Sequence, residues 1–275
     1  MALALTSCAA IGAVGANSSA NAVAQGDSYT SSVQEADAAR KAGNLDVALA
    51  LYSRALSANP QGIEAKIGLG QCYLSLGAGD EAAAQFRDVL LRRESDVEAR
   101  RGLAAALIAE GQPALAEKQA EVALQTDSRD FRAMNVMGIA LDMQGRHAEA
   151  QAQYLAGLQV VPNDVALRSN MGLSLAISGQ AQEAIAQLLP VAGGPGSDAR
   201  VRQNLALAYA MAGDFEGALQ ISRHDLDEAR AQQQLSYFMR LRSLPPAERS
   251  IELRRNPNFF PQSTLRLPQP SGKTN

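Results

Sequence analysis

Apolar residues along this chain recur with helical spacing in paired stripes, and a glycine divides the two stripes of each pair. The segment 63–96 shows the pattern on either side of a turn at 77–80. Its first stripe comprises Ile67, Leu69, Gly70, Tyr73, Leu74 and Leu76, and its second comprises Ala82, Ala83, Phe86, Val89 and Leu90. The spacing therefore predicts two helices joined by a short turn, with one apolar face on each helix.

Two residue types keep a constant phase in this pattern, at a period of 34 residues. The glycines are Gly43, Gly77, Gly111, Gly145, Gly179 and Gly213, and the alanines that follow them are Ala48, Ala82, Ala116, Ala150, Ala184 and Ala218. A period of this length is typical of a solenoid, in which each unit buries its apolar face against its neighbours. The glycine is expected to end the first helix with a positive φ. The alanine is expected where two helix backbones approach closely.

The repeat resembles the tetratricopeptide repeat (TPR), whose pattern asks for particular residue types at fixed unit positions. The units are 29–62, 63–96, 97–130, 131–164, 165–198 and 199–232. The matches are Gly70, Gly138 and Gly172 at position 8, Tyr73 and Tyr209 at 11, Tyr52, Phe86 and Tyr154 at 24, and Pro60 and Pro162 at 32. Tryptophan, which the family favours at position 4, is absent from the chain. The resemblance implies an all-α fold, a right-handed α-solenoid of six TPR hairpins with a C-terminal capping helix.

The fifth unit departs from the pattern because Pro190 falls inside its second helix and a Gly-Gly-Pro-Gly run follows it. Proline removes a backbone donor and clashes with the preceding turn. We therefore expect a short or kinked helix and a local bend in the stack at 190–198.

Beyond residue 232 the repeat stops, although helical spacing continues through Gln233 to Arg242. We interpret 233–255 as capping helices that cover the last apolar face, with a break at Pro245 and Pro246. The stretch 256–275 holds four of the eleven prolines and has no periodicity, which predicts a mostly disordered tail. Within it, Phe259 and Phe260 are either a docking motif or part of a tail folded back on the stack.

The first residues, 1–28, are interpreted as a lipoprotein signal remnant and a flexible tether. Leu5 to Cys8 resembles a bacterial lipobox, in which the cysteine is acylated, and Ala9 is compatible with sorting to the outer membrane. No Lys or Arg precedes Cys8, so either the start lies inside a longer signal or the match is accidental. The tether would span roughly 25 Å r.m.s. as a flexible coil. The second cysteine, Cys72, is predicted to fill the core.

Composition narrows the classes of function. The formal net charge is only −3, and basic residues are spread along the array, so nucleic acid is an unexpected partner. No segment has the ~18–20 apolar residues needed to span a bilayer. The chain has no paired Cys or His spacing for a metal and no phosphate-binding loop, and we expect no cofactor and no enzymatic activity. His147 and His224 are both predicted to be solvated surface residues.

The best candidate for a functional site is the concave groove that the resemblance to TPR arrays implies. It would be lined by first-helix residues at unit positions 2, 5, 6, 9, 12 and 13. These residues are Arg101, Arg132, Asn135, Asp142, Met143, Ser169, Asn170, Arg200, Gln203, Asn204 and Met211.

Two alternatives stay open for the polar residues of this groove. Asn170 and Asn204 share one unit position and would either bind the backbone of a partner peptide or satisfy groups between adjacent repeats. If they bind a partner, replacing both by alanine should weaken its capture with little change in melting. Arg101, Arg132 and Arg200 would either pair with acidic groups of a partner or remain solvated.

A narrower resemblance concerns 199–214 and the terminal stretches 235–238 and 241–244, which are similar to the TadD proteins of tight-adherence (Flp) pilus assembly. These are TPR lipoproteins that accompany a secretin, an assembly ATPase and a small pilin. The resemblance implies a non-enzymatic, periplasm-facing adaptor tethered to the outer membrane, with the secretin or other Tad components as suspected protein partners. The alternatives are a pilotin-like or envelope-biogenesis lipoprotein of another system, a repeat region separated from a transferase, and a cytoplasmic co-chaperone or scaffold.

Overall fold

The computed structural model describes residues 28–194 and 196–255 of the chain, and every regular element within those ranges is an α-helix. The first helix, α1, covers 28–41. The others are α2 (Leu45–Ala58), α3 (Ile63–Ser75), α4 (Gly79–Leu90), α5 (Val97–Ala109), α6 (Pro113–Thr126), α7 (Phe131–Met143), α8 (His147–Val160), α9 (Val165–Ser178), α10 (Ala181–Ala192), α11 (Ala199–Ala212), α12 (Phe215–Ser222), α13 (Glu228–Ser243) and α14 (Pro246–Arg255). The residue ranges 1–27 and 256–275 lie outside this description, and so does Pro195.

Each unit is a pair of antiparallel helices, which we call helix A and helix B. Helices α1, α3, α5, α7, α9 and α11 are the A helices, and α2, α4, α6, α8, α10 and α12 are the B helices. From α2 onward, every helix packs on the next one along the chain, and successive units stack in order, as in a TPR solenoid. Helix α1 is joined to α2 by a hydrogen bond from the hydroxyl of Tyr52 to Asp37. The predicted all-α solenoid is confirmed.

Recurring aspartates fix where the A helices begin. Asp96, Asp130, Asp164 and Asp198 stand 34 residues apart, and each carboxylate accepts a hydrogen bond from a backbone N–H in the first turn of the next A helix. An N-cap of this kind satisfies donors that the helix itself leaves without partners. The 34-residue period is therefore present in the N-cap residues as well as in the apolar faces of the helices.

The glycines that close the A helices behave as predicted. All six have a positive φ, between 71° and 95°, which glycine adopts without the steric cost of a Cβ. The recurring alanines are also confirmed as points of close approach, because all six are buried with at most 1% of their surface exposed. Cys72 is buried and not in a disulfide, in agreement with its predicted role in the core.

Cations occupy the unit position at which the TPR pattern favours tryptophan. Lys66, Arg100, Arg168 and Arg202 stand at position 4 of four different units. Each reaches the region of helix B or the turn after it in its own unit: Lys66 pairs with Asp88, Arg100 with Gln119, Arg168 with Gln187 and Arg202 with Asp225. Polar pairs thus link the two helices of a unit where an indole would otherwise pack.

The fifth unit keeps its helix B despite the proline. Helix α10 has 12 residues and ends at Ala192, so Pro190 lies in its last turn. Helix α4 has the same length without a proline, whereas α2, α6 and α8 have 14 residues. The expected bend at 190–198 stays a prediction.

The C-terminal end of the solenoid is covered by α13, as the predicted fold class requires. Phe238 and Leu241 of α13 are fully buried, and the helix packs on α11 and α12. Helix α14 then turns back antiparallel to α13, and Arg240 of α13 reaches Glu252 of α14 at 2.6 Å. The second capping helix contacts α9 of the fifth unit, so the cap extends over the array as well as closing its end.

Candidate protein-binding surface

The pattern of helix contacts determines which face of the solenoid is concave. Successive A helices touch one another along the array, from α3 against α5 to α9 against α11, in addition to their contacts with B helices. No comparable contact joins the B helices of neighbouring units within the described residues. Because the A layer is the tighter one, it lies on the inside of the curve. We call the inner face of α3, α5, α7, α9 and α11 the trough.

The asparagines predicted to line this trough form a ladder between repeats. Asn170 donates from Nδ2 to Oδ1 of Asn135 at 2.9 Å, one unit back. Asn204 donates from Nδ2 to Oγ of Ser169 at 3.1 Å, again one unit back. In each case position 6 of one unit reaches position 5 of the unit before it. All four side chains are buried, so this geometry shows that they connect adjacent repeats.

The arginines of the predicted set lie on the same face and are paired within the array. Arg101 forms an ion pair with Asp130, the N-cap of α7, and Arg200 reaches Asp198 at 3.2 Å. The guanidinium of Arg132 lies 4.5 Å above the ring of Phe131, a cation–π arrangement. Burial, together with the nearby positive charge of Arg101, lowers the pKa of Arg132. These side chains are half-buried and held in place, which is a different environment from that of freely solvated arginines.

Asp142, also predicted in the trough, is instead the centre of a buried polar network. Its Oδ1 lies 2.7 Å from Nδ1 of His147 and accepts a hydrogen bond from Ser174 at 2.7 Å. Its Oδ2 accepts from the hydroxyl of Tyr154 at 2.9 Å. Burial raises the pKa of Asp142 above its ordinary range, and the hydrogen bonds from these partners oppose that shift. Burial, with the neighbouring Asp142, also raises the pKa of Tyr154.

The prediction that His147 is a solvated surface residue is wrong. Its side chain is only 12% exposed, and its Nε2 lies 2.8 Å from Oγ of Ser250 in α14. The local sequence around His147 predicts an exposed turn, whereas the cover that α14 provides there comes from a contact between residues 103 positions apart. His224, by contrast, is exposed as predicted.

The chain of contacts from Ser250 through His147 to Asp142 has the order of a nucleophile, a base and an acid. Its geometry does not support nucleophilic catalysis, because Ser250 is itself buried, at 5% exposure, between α14 and the array. The network instead holds α14 against the fourth unit.

Arginines fasten the capping helices to the C-terminal ends of the A helices. Arg242 donates from Nε to the carbonyl of Met211 at 3.2 Å, at the end of α11. Arg249 donates from Nη1 to the carbonyl of Ile177 at 3.3 Å, at the end of α9. A cation at a helix C-terminus is favourable because the terminal carbonyls lack intrahelical partners. The cap therefore contacts the ends of units 6 and 5 in turn before Ser250 reaches unit 4.

The remaining predicted residues are Met143, Gln203 and Met211, which are half-buried on the A helices. Cys8, the predicted lipidation site, lies outside the described residues. Within 28–194 and 196–255, no helix is long and apolar enough to cross a bilayer, and no group of acidic, His or Cys side chains is arranged to hold a metal ion.

Comparison with known proteins agrees with the fold. The family model of the tetratricopeptide repeat matches residues 39–107. A thermophilic TPR protein from Thermus thermophilus is 22% identical, with a TM-score of 0.59 over 66% of this chain and 98% of its own. A tetratricopeptide repeat protein from Parabacteroides merdae is 19% identical, with a TM-score of 0.62 over 77% of this chain and 84% of its own.

The PilF protein of Pseudomonas aeruginosa has the same fold at 17% identity, with a TM-score of 0.61 over 78% of this chain and 99% of its own. Among curated proteins, no sequence matches the chain. At these identities the solved structures establish the TPR solenoid fold of the chain and nothing finer. TPR proteins in general are non-catalytic scaffolds that bind protein partners.

Proposed function

We propose that this protein is a non-enzymatic adaptor that captures segments of other proteins in its trough. The supporting observation is the continuous inner layer of A helices, whose faces carry amides, arginines and methionines at fixed intervals. Arginine and methionine are enriched at protein interfaces, and the amide of Gln203, which is partly exposed, can bind a peptide backbone whatever its side chains. The buried asparagine ladder supports the floor of this surface, while its half-buried neighbours are available for contact.

Site-specific photocrosslinking tests this assignment in the full-length protein. A benzophenone amino acid replaces Gln203 in the trough or, as a control, Leu155, which is half-exposed on helix B of the fourth unit. Adducts with a defined protein from the Gln203 position and none from Leu155 are expected. Adducts from the Leu155 position alone would place the interface on the outer layer and overturn the assignment to the trough.

We further propose that the adaptor is a lipoprotein of the tight-adherence pilus machinery, anchored to the outer membrane. Two sequence features support this proposal: the lipobox-like stretch from Leu5 to Cys8, and the similarity of 199–214, 235–238 and 241–244 to TadD proteins. Its suspected partners are the secretin or other Tad components. In that setting a tethered trough would hold a component beside the membrane and would perform no covalent step.

Metabolic labelling with a fatty acid tests the anchor. The wild type is expected to incorporate the label and the Cys8→Ala variant to lose it. Cys72 is an internal control, because it is present in both proteins and is buried with a raised thiol pKa of about 11. An unlabelled wild type would favour the alternative of a cytoplasmic co-chaperone or scaffold.

The partner distinguishes the remaining alternatives. Pilin, secretin and ATPase genes beside this one, and crosslinks from Gln203 to one of their products, are the expected outcome. Crosslinks to a component of another envelope system would favour a pilotin-like or envelope-biogenesis lipoprotein instead.

A further inference from the structure

A second polar surface lies outside the trough, at the edge of the array where the A helices begin. The loop that joins units 2 and 3 encloses an open cleft of about 650 Å³ together with the start of α5 and the end of α6. A volume of this size is in the range of small-molecule sites. The charged residues that line it are Arg92, Arg93, Glu94, Asp96 and Arg100. Three guanidinium groups therefore line one cleft.

Arg100 is fixed in this cleft by uncharged groups. Its Nη1 donates to Oε1 of Gln119 at 3.1 Å, and its Nη2 donates to the carbonyl of Glu94 at 2.7 Å. Its Nε is buried and has no hydrogen-bond partner within the described residues. The guanidinium is thus oriented by neutral acceptors, and these leave its positive charge in place.

The equivalent cations of two other units have counter-ions inside the unit. Lys66 of unit 2 pairs with Asp88, which stands at unit position 26. Arg202 of unit 6 pairs with Asp225. In unit 3, position 26 is occupied by Val122, which lines the cleft. The third unit therefore keeps the cation and lacks the carboxylate, so an anion from outside the chain would complete the pair.

The loop adds two arginines that have little compensation of their own. Both Arg92 and Arg93 are exposed. Arg93 lies 4.0 Å from a carboxylate oxygen of Glu64, and both of these side chains are more than half exposed, so the pair contributes little in water. Arg92 forms no ion pair with any of the residues that the structure describes. The charges of both loop arginines are therefore available to a ligand.

Two carboxylates in the lining oppose an anion only in part. The carboxylate of Asp96 is committed to the N-cap of α5, where it accepts from the backbone N–H of Ala99 at 2.9 Å. Glu94 is exposed, so solvent weakens the field of its charge. Counted over its lining side chains, the cleft carries a formal charge of +1. It therefore attracts anions, although the formal charge of the whole chain is −3.

We propose that this cleft binds the phosphoryl group of a phosphate ester. Planar guanidinium groups bind phosphate oxygens through paired hydrogen bonds. A phosphoryl group offers more acceptor oxygens than a carboxylate does, and three arginines can share them. The rest of the volume leaves room for the organic part of the ester, which is either a soluble molecule or the headgroup of a phospholipid. The site uses none of the predicted trough residues and is independent of protein capture there.

Titration of the full-length protein with glycerol 3-phosphate at constant ionic strength tests the site by NMR. The Nε–H group of Arg100 is buried and should exchange slowly enough to give a signal, so it reports from inside the cleft. Saturable shifts of this signal and of the backbone amides of 92–96 are expected. Shifts that grow linearly with concentration would overturn the proposal.

Replacing both loop arginines, Arg92→Gln with Arg93→Gln, should weaken binding at least about tenfold because charged hydrogen bonds to the ester are lost. Both side chains are exposed, so the melting transition should be unchanged. Arg54→Gln with Arg230→Gln is the charge-matched control, because these residues are also exposed and do not line the cleft. An equal loss in the control would mean that the titration reports overall charge, which would contradict a site in the cleft.

The junction of units 4 and 5 provides an internal control. Arg168 has a similar neutral environment, since it donates from Nη1 to Gln187 and from Nε to the carbonyl of Pro162. The loop before it carries Val160 and Val161 where the loop of the cleft carries two arginines. The Nε–H signal of Arg168 should therefore stay in place while the equivalent signal in the cleft moves. Parallel shifts of both signals would rule out a site formed by the loop arginines.

Two further measurements test the chemistry of the ligand. Glu94→Gln removes an opposing carboxylate and should tighten binding about two- to fivefold, whereas unchanged affinity would argue against a phosphoryl group beside Glu94. Sodium acetate is the carboxylate probe. Saturation by acetate at the concentrations that glycerol 3-phosphate requires would assign the cleft to carboxylates and overturn the proposal.

Sedimentation with phosphatidylcholine vesicles that contain phosphatidylglycerol distinguishes the two sources of the ester. Vesicle binding that is lost in the variant with Arg92→Gln and Arg93→Gln would assign the phosphoryl group to a lipid headgroup. Saturation by glycerol 3-phosphate without vesicle binding would assign it to a soluble ester. Failure of both probes would overturn the proposal, and crosslinks from Gln203 would still support the trough.

Discussion

Units 2 and 3 use one position of the repeat for the opposite purpose from units 5 and 6. At unit position 6, units 2 and 3 carry Gly68 and Gly102, while units 5 and 6 carry Asn170 and Asn204. A Cβ at Gly68 would collide with the ring of Tyr52, and one at Gly102 with the ring of Phe86. In the N-terminal half, neighbouring units are therefore joined by an aromatic ring of one unit that packs against a glycine of the next. In the C-terminal half they are joined by side-chain hydrogen bonds.

The difference begins with the large residue of the preceding helix B. Phe86 packs on glycines of two units, Gly70 of its own and Gly102 of the next. Tyr154, at the equivalent position two units later, packs on Gly138 of its own unit and gives its hydroxyl to Asp142. The array thus contains two kinds of junction between units. In the apolar junction the ring leaves no room for a side chain at unit position 6, and in the polar junction the side chain at that position makes the hydrogen bond.

Removing the aromatic ring of Phe86 should have the largest effect on stability among the changes that test this comparison. Phe86→Ala empties a fully buried site between two helices and is expected to lower the free energy of unfolding by about 3–5 kcal/mol. Repeat arrays can open in parts, so hydrogen exchange of α3, α4 and α5 is the appropriate measurement. Leu91→Ala is the control, because Leu91 is 85% exposed and should change exchange little. Unaltered protection in these helices after Phe86→Ala would contradict the apolar junction.

Transplanting the asparagine should be next in size. Gly102→Asn places a side chain where Phe86 already lies, and overpacking of this kind costs typically 1–3 kcal/mol. Asparagine has a better helix propensity than glycine, so a variant at least as stable as the wild type would show that the ring yields easily. Chemical denaturation followed by circular dichroism decides between these outcomes.

Deleting the amide ladder is expected to cost a similar or smaller amount. Replacing Asn170 and Asn204 together by alanine removes the hydrogen bonds to Asn135 and Ser169, at about 0.5–1.5 kcal/mol each. The melting transition should therefore fall. Partner capture lost without any change in melting would instead favour the hypothesis that these residues bind the partner directly.

The buried carboxylate makes a smaller, pH-dependent contribution to the C-terminal half. A raised pKa means that folded Asp142 binds its proton more tightly than the unfolded chain does. Its contribution to stability is complete below the ordinary aspartate pKa of about 4 and is lost as the pH rises through the raised value. Asp142→Asn should remove this decline, so its stability relative to the wild type should increase with pH. Parallel pH profiles of unfolding would contradict this assignment.

Labelling of the Cys72 thiol tests whether the N-terminal and C-terminal halves open separately, and it is the measurement with the smallest expected effect. Cys72 in the N-terminal half is buried, and burial raises its pKa to about 11, so the folded protein should react very slowly with a thiol reagent at neutral pH. Phe86→Ala should accelerate the reaction, and the double alanine variant of the ladder should leave it nearly unchanged. Measurement in a Cys8→Ser background isolates this thiol, and equal acceleration by both changes would mean that the halves open together.

The sequence predicted the solenoid because its signals are local and repeated. Gly43 and its five equivalents mark the end of each A helix, and Ala48 and its equivalents mark where two helices approach closely. Both roles follow from the local backbone requirements of glycine and alanine, so they can be predicted without knowledge of distant contacts. The N-cap series beginning at Asp96 and the cations beginning at Lys66 carried the same period. They could have been found by testing every residue type for recurrence at 34 residues.

The site was less predictable because it depends on contacts between distant residues. Nothing near His147 in the chain indicates that Ser250 will cover it, and nothing near Asp142 indicates that Tyr154 and Ser174 will enclose it. Periodicity places such residues on a face, but it does not show which of them the rest of the chain then buries. For the same reason, the sequence alone does not decide between the two alternatives for Asn170.

The docking of α14 also has a mechanical consequence. Contacts at Arg249, His147 and Ser250 tie the fourth and fifth units to the C-terminal cap, whereas, among the residues that the structure describes, the first three units are held by their neighbours in the array. A load applied between the two ends of the protein should peel the N-terminal hairpins away one at a time and meet its main resistance at the fourth unit. In such an adaptor the C-terminal units and the cap resist extension, while the first three units can extend under load.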